Sequence, residues 1–154
     1  MIKLIKEKTL AVTGHRKLSL DLDIYRLEDI FLSQIEKGID TFLVGMAVGF
    51  DAICFQILEK IRDKKDIKIV ACIPCENQNK NFSIEQKEEY IRQVNSANEK
   101  ILISREYTPY CMMKRNMFMV DNACKLVCFL RENKGGTFNT VNYAKQKGIE
   151  IIKI

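Results

Sequence analysis

Six short apolar runs rich in β-branched residues recur along the chain, at 9–12, 41–44, 67–73, 100–103, 126–130 and 149–152. Each has the length and composition of a strand. Between them, apolar positions repeat at helical spacing. Phe50, Ile53, Cys54, Ile57, Leu58 and Ile61 give the clearest helix. Leu20, Ile24, Leu27, Phe31 and Ile35 give another, with Ser19 as its expected cap. Ser83 and Gln86 have the spacing of a capping box and open a third helix reaching Ala97. Met113, Met117, Val120 and Cys124 mark a fourth, and 137–146 a fifth, ended by Gly148. Strands that are apolar throughout belong in a sheet buried on both faces. Their alternation with helices predicts an α/β fold with a mostly parallel central sheet between two helical layers. Residues 1–154 are expected to form a single domain. The polar stretch 76–81 reads as a mobile loop beyond a strand end.

Three of the strand-to-helix junctions are built on glycine. Thr13-Gly14-His15-Arg16 follows the first strand, Gly45-Met46-Ala47-Val48-Gly49-Phe50-Asp51 the second, and Gly135-Gly136-Thr137 the fifth. Glycine lets the backbone turn tightly and lets a ligand approach it. The helix that follows aims free N–H groups at an anion. One such turn is an ordinary connector, whereas three on the rim of one parallel sheet predict a phosphate or nucleotide pocket. Arg16 is then a bidentate phosphate ligand, and His15 a donor or an acid–base group. Asp51, at a helix start, serves as a cap, as a partner for ribose hydroxyls, or as both. Neither a dinucleotide fingerprint nor a Walker loop is present.

Composition narrows the partners. Net charge is +5, which suits an anionic ligand without demanding nucleic acid. No apolar run approaches the ~18 residues a membrane span needs. The opening segment from Met1 to Lys8 is interrupted by charge and lacks the apolar core of a secretory signal, so a cytoplasmic location is expected. Of the six cysteines, Cys54, Cys111, Cys124 and Cys128 lie in apolar patterns and read as small hydrophobes. Cys72-Ile73-Pro74-Cys75 is a C-x-x-C pair. It ends a strand instead of opening a helix and has no second ligand pair at zinc spacing, so neither redox chemistry nor a metal is expected.

The segment from Met113 to Ala123 carries the last signal. Its methionines read as core, and Arg115, taken alone, as a solvated arginine beside Asn116. In sequence order, Val12-Thr13-Gly14-His15-Arg16, Gly45-x-Ala47-x-Gly49-x-Asp51, Met113-x-Arg115-Asn116-x-x-Met119-Val120-Asp121 and Gly135-Gly136-Thr137 resemble the four motifs of the SLOG superfamily. The likeness is greatest to its small stand-alone YpsA-like members and covers nearly the whole chain.

The resemblance implies a Rossmann-like three-layer sandwich with a nucleotide-derived ligand at the strand C-termini. Relatives include phosphoribohydrolases that split a nucleoside monophosphate, the DprA group that binds single-stranded DNA, and sensors of nucleotide signals, often NAD-derived. The phosphoribohydrolases carry a glutamate after the terminal glycine turn. Here no Asp or Glu occurs from Gly135 to Ile149, which argues against the hydrolase. The expected function is therefore a ligand sensor or sequestering protein with no cofactor, in which Thr13, Gly14, Gly45, Met46, Ala47, Gly49, Gly135, Gly136 and Thr137 line phosphate and ribose. Arg16 and Arg115, with His15 and Asn116 beside them, meet phosphate, while Asp51 and Asp121 orient ribose or the arginines. The alternative is an N-glycosidic hydrolase using Asp51, His15 and Arg115, with Glu76 as a substitute carboxylate. A further alternative is single-stranded nucleic-acid binding. Phe82, Tyr107 and Tyr110 are available to stack on a base. The apolar helices suggest a homo-oligomer.

Overall fold

The computed structural model describes residues 3–154; Met1 and Ile2 of the opening segment lie outside it. A short 3-10 turn, Lys6–Lys8, leads into β1 (Thr9–Gly14), α1 (Ile24–Glu36), β2 (Thr41–Val44), α2 (Phe50–Arg62), β3 (Lys68–Ile73) and α3 (Ile84–Ser96). There follow β4 (Glu99–Leu102), α4 (Cys111–Asp121), β5 (Lys125–Phe129), α5 (Gly136–Lys147) and β6 (Glu150–Lys153). The strands form one sheet in the order β4-β3-β2-β1-β5-β6, every neighbouring pair parallel.

Right-handed crossovers dictate the layers. The chain steps from β1 to β4 in one direction, so α1, α2 and α3 cover one face. It then returns to the far side of β1, which puts α4 and α5 on the other. The strands show why both faces close. Leu10, Val12, Phe42, Val44 and Phe129 point to the first face, and the alternate residues Ala11, Leu43, Val70 and Cys128 to the second. Phe31, Phe42, Phe50 and Phe55 have no exposed surface, and burying each contributes roughly 2–3 kcal/mol. None of the described helices is long and apolar enough to cross a membrane.

One local expectation needs correction. The first helix begins at Ile24, not beside Ser19. Its cap is Asp23, whose carboxylate accepts the Arg26 N–H at 3.0 Å. Ser19 instead donates its hydroxyl to Asp21. Arg131 holds the same Asp21 at 2.7 Å, and a turn closes from Leu22 N–H to the Ser19 carbonyl at 3.3 Å. These contacts keep residues 19–22 out of the helix. The polar stretch 76–81 is the expected loop, but it is folded into turns. Gln78, Lys80 and Phe82 donate to the carbonyls of Cys75, Asn77 and Asn79 in successive tight turns.

The capping box appears as expected: the Ser83 hydroxyl accepts from Gln86 N–H, and the Gln86 side chain accepts from Ser83 N–H at 2.9 Å. Gly148 ends α5 in the left-handed region, φ 72°.

Strand order reverses between β1 and β5. The segments leaving these two strands diverge to opposite faces and open a crevice at their carboxyl ends.

Candidate functional site

That crevice is a cleft of about 440 Å³. Thr13, Gly14, His15 and Arg16 enter it from the end of β1, Ala47 from the β2–α2 turn, Asp51 from the start of α2, and Met112, Arg115 and Asn116 from α4. Glu132, Lys134, Gly135, Gly136 and Thr137 close it from the β5–α5 side.

Asp51 and Arg115 form its base. Arg115 is buried, 5% exposed, not solvated as it reads in isolation. Its guanidinium donates to the carbonyls of Gly45 and Cys72 and, through Nε, to Asn116 Oδ1 at 2.7 Å. It therefore ties α4 to the carboxyl ends of β2 and β3. Burial pushes its pKa down, and the negative field of Asp51 opposes that shift. Asp51 is 6% exposed. Its Oδ2 accepts the Ala47 N–H at 3.2 Å, and no donor among the described residues meets Oδ1. Desolvation raises its pKa to about 6, against the pull of Arg115, the Ala47 N–H and Arg16. Asp51 thus caps the β2–α2 turn and keeps one buried oxygen in reserve. Leaving such an acceptor unmet is costly.

His15 has a definite task. Its Nε2 accepts the backbone N–H of Arg131 at 2.7 Å. Because that N–H can only donate, a neutral ring carries its proton on Nδ1. The ring clasps the two diverging segments across the switch point and packs edge-on to Phe129, with centroids 6.1 Å apart. Phe129 in turn stacks on Phe50 at 5.7 Å.

The glycines divide into two kinds. A Cβ on Gly49, where φ is +82°, would lie 2.2 Å from the Arg16 carbonyl oxygen. Gly14 and Gly45 similarly face the Phe50 ring and the Arg115 guanidinium. These three are small because protein packs against them. Gly135 and Gly136 have nothing within 4 Å of such a Cβ. Gly135 caps α5 without a side-chain bond, so the first amides of α5 face the cleft as helix-terminal donors. Met46 adopts φ +63° between the two glycine positions of the second turn, a conformation that non-glycine residues seldom adopt and that clusters at functional sites.

Some expected residues stand apart. Gly45, Met46 and Gly49 shape the turn behind the cleft without lining it. Asp121 lies at the far end of α4, where it accepts from the Tyr143 hydroxyl at 2.7 Å and sits 3.9 Å from Lys147. Glu76 is exposed on the β3–α3 connection. Conversely, Met112, Glu132 and Lys134 line the cleft without having been singled out in the sequence. The position of Glu132 and Lys134 just before the third glycine turn was the available signal. In the C-x-x-C pair, burial pushes the Cys72 thiol up to about 12 and raises that of Cys75, which hydrogen-bonds with Cys111. A reactive thiol needs the opposite shift. Among the described residues, no three His, Cys, Asp or Glu side chains are grouped to hold a metal.

An all-parallel sheet with its cleft at the topological switch point is a Rossmann-type fold. The model of the YspA SLOG family (YpsA) matches residues 6–151, and the chain belongs to that family. It is 33% identical to YoqJ, an SPbeta prophage-derived protein of Bacillus subtilis, over 79% of this chain and 81% of that protein. A UPF0398 protein of Streptococcus mutans is 22% identical, over 82% and 79%. Among solved structures, DNA processing protein A (DprA) of Streptococcus pneumoniae superposes with a TM-score of 0.70 at 14% identity. The Helicobacter pylori protein of the same name does so at 0.67 and 12%. Both superpositions cover 96% of this chain but only 50% and 65% of those proteins, so it spans roughly half to two thirds of their length.

Proposed function

We propose that the switch-point cleft binds a nucleotide or nucleotide-derived ligand, and that the protein acts as a sensor or sequestering protein for it. One observation carries this reading. A helix N-terminus with open glycines, two arginines and a buried, half-satisfied carboxylate converge on one cleft. Arg16, Arg115 and Lys134 face Asp51 and Glu132, which leaves an excess of positive charge for phosphate. Amides of Gly136 and Thr137 suit phosphate oxygens, and Asp51 Oδ1 suits a ribose hydroxyl. Self-association is supported by the exposed Leu20, Ile24 and Tyr25 around the start of α1.

A second reading, N-glycosidic hydrolysis, gains from a second carboxylate. Glu132 enters from the β5–α5 side, while Asp51 enters from the α2 side with its pKa raised to about 6. Such a pair is the equipment of glycosidic cleavage. The DprA likeness supports a third, because the Helicobacter pylori protein binds single-stranded DNA.

Calorimetric titration with nucleotides separates them. The reading expects saturable binding of an intact nucleotide. In Arg16→Ala that affinity falls about 10- to 100-fold, the worth of a charge-assisted hydrogen bond. Stability stays within about 0.5 kcal/mol, because the side chain is exposed. Unchanged binding by Arg16→Ala would refute the placement of phosphate. Release of free base would favour the hydrolase, and a steep salt dependence on oligonucleotides the third reading.

A further inference from the structure

A second cavity, of about 530 Å³, opens on the β3–α3 connection and meets the first at Arg16 and Met112. Its chemistry differs from that of the first. Amides and aromatic rings line it, from Asn77, Gln78, Asn81, Phe82 and Tyr107, with Lys80 as a cation besides Arg16. Gln78 is 8% exposed. Its Nε2 donates to the Gly45 carbonyl at 3.0 Å. That carbonyl can only accept, so the orientation of the amide is settled. Gln78 Oε1 is then a buried acceptor that no donor among the described residues meets. A purely structural task, bracing the Gly45 turn, uses the nitrogen and leaves the oxygen unexplained.

The surroundings hold these groups in place. The tight turns through 75–82 are pinned to the β4–α4 segment by Glu76 N–H, which donates to the Arg105 carbonyl at 3.3 Å. Phe82 packs edge-on to Tyr90 at 5.6 Å, while Tyr107 lines the cavity with its ring 62% exposed. Aromatic faces beside an unmet buried acceptor match a planar heterocycle that carries an N–H donor.

We infer that this second cavity is a nucleobase subsite: the base stacks on Phe82 or Tyr107 and donates an N–H to Gln78 Oε1, with the phosphate near Arg16 in the adjoining cleft. The inference rests on the nucleotide reading above and adds the part of the ligand that gives selectivity. Phosphate contacts alone would hold any sugar phosphate.

Calorimetry with ribose 5-phosphate, AMP, GMP, CMP and UMP tests it on wild type, Tyr107→Ala and Gln78→Leu. At least one monophosphate should bind wild type about tenfold or more tightly than ribose 5-phosphate, the range of base–aromatic stacking. Tyr107→Ala and Gln78→Leu should each erase most of that preference, and Tyr107→Ala, which touches nothing in the phosphate cleft, should leave ribose 5-phosphate affinity as it was. Tyr107→Ala removes an exposed ring and remains readable if Gln78→Leu fails to fold. A wild type with no base preference, or a preference that survives Tyr107→Ala and a folded Gln78→Leu, overturns the subsite and leaves the phosphate cleft standing. A wild type that binds none of the five also overturns the subsite, and the cleft itself then stands or falls with the nucleoside diphosphates and ADP-ribose.

Discussion

Gly49→Val should unfold this protein or destabilise it by about 4 kcal/mol or more, whereas Gly136→Ala should change stability by no more than about 0.5 kcal/mol. Both glycines belong to turns that resemble family motifs, so the sequence alone would grade them alike. Their surroundings separate them. At Gly49 a side chain meets the Arg16 carbonyl oxygen at 2.2 Å and the His15 carbonyl oxygen at 2.7 Å, with φ at +82°. Those oxygens belong to backbone, and the His15 carbonyl also accepts the Phe50 N–H that begins α2, at 3.1 Å. Neither can retreat without breaking the junction of β1 with α2. Strain in φ alone costs roughly 1–3 kcal/mol, and the clash adds to it. Gly136 has open space and an ordinary backbone conformation. Its methyl would project where a ligand approaches, so Gly136→Ala should lose affinity without losing stability. Urea unfolding of both variants checks the pair. Equal destabilisation would refute the division of the glycines into packed and open kinds.

Relative to wild type, Asp51→Asn should make the ligand-free protein more stable at pH 7.5 than at pH 4, by about 2 kcal/mol. The sign follows from the direction of the shift. The folded pKa is raised from 3.8 to about 6, so between those values the folded state holds a proton that the unfolded chain has released. Stability from this group is therefore full at low pH and is lost as pH rises through 6. Glu59 and Glu89 run the other way, because Arg92 lowers both, and their contribution is lost as pH falls. The difference between wild type and Asp51→Asn isolates the contribution of Asp51. Denaturant unfolding from pH 4 to pH 8 should show the variant gaining on wild type up to about pH 6 and holding level above it. A difference that is flat with pH would mean Asp51 is not desolvated as the structure places it. The same substitution would also weaken ligand binding if Oδ1 accepts from ribose, which makes the stabilisation and the loss of function two faces of one buried charge.

Much of the fold was legible in the sequence because its strands are apolar on both faces, and such runs need little tertiary context. All six expected strands appear within two residues of their expected ends, and β2 coincides with 41–44. The start of α1 was not legible: Leu20 has helical spacing, yet Arg131, far along the chain, draws Asp21 away. Long-range contacts also explain why the burial of Arg115 and Gln78 was not legible. Arg115 reads as solvated because its acceptors, the carbonyls of Gly45 and Cys72, lie on other strands. Gln78 sits in a polar stretch, and nothing local shows that it turns inward to the Gly45 carbonyl. The three glycine turns do follow β1, β2 and β5, as their spacing predicts. Only the structure shows that Gly14, Gly45 and Gly49 accommodate the protein itself and that Gly135 and Gly136 face open space.

The most direct test of the nucleotide cleft is an amide NMR titration of the labelled protein with nucleoside mono- and diphosphates and ADP-ribose. The proposed function predicts that at least one nucleotide shifts the amides of Thr13 to Arg16 and of Gly136 and Thr137 together, saturably, while β6 and the far end of α4 stay still. Shifts confined to other surfaces, or none with any of these nucleotides at millimolar concentration, would contradict it.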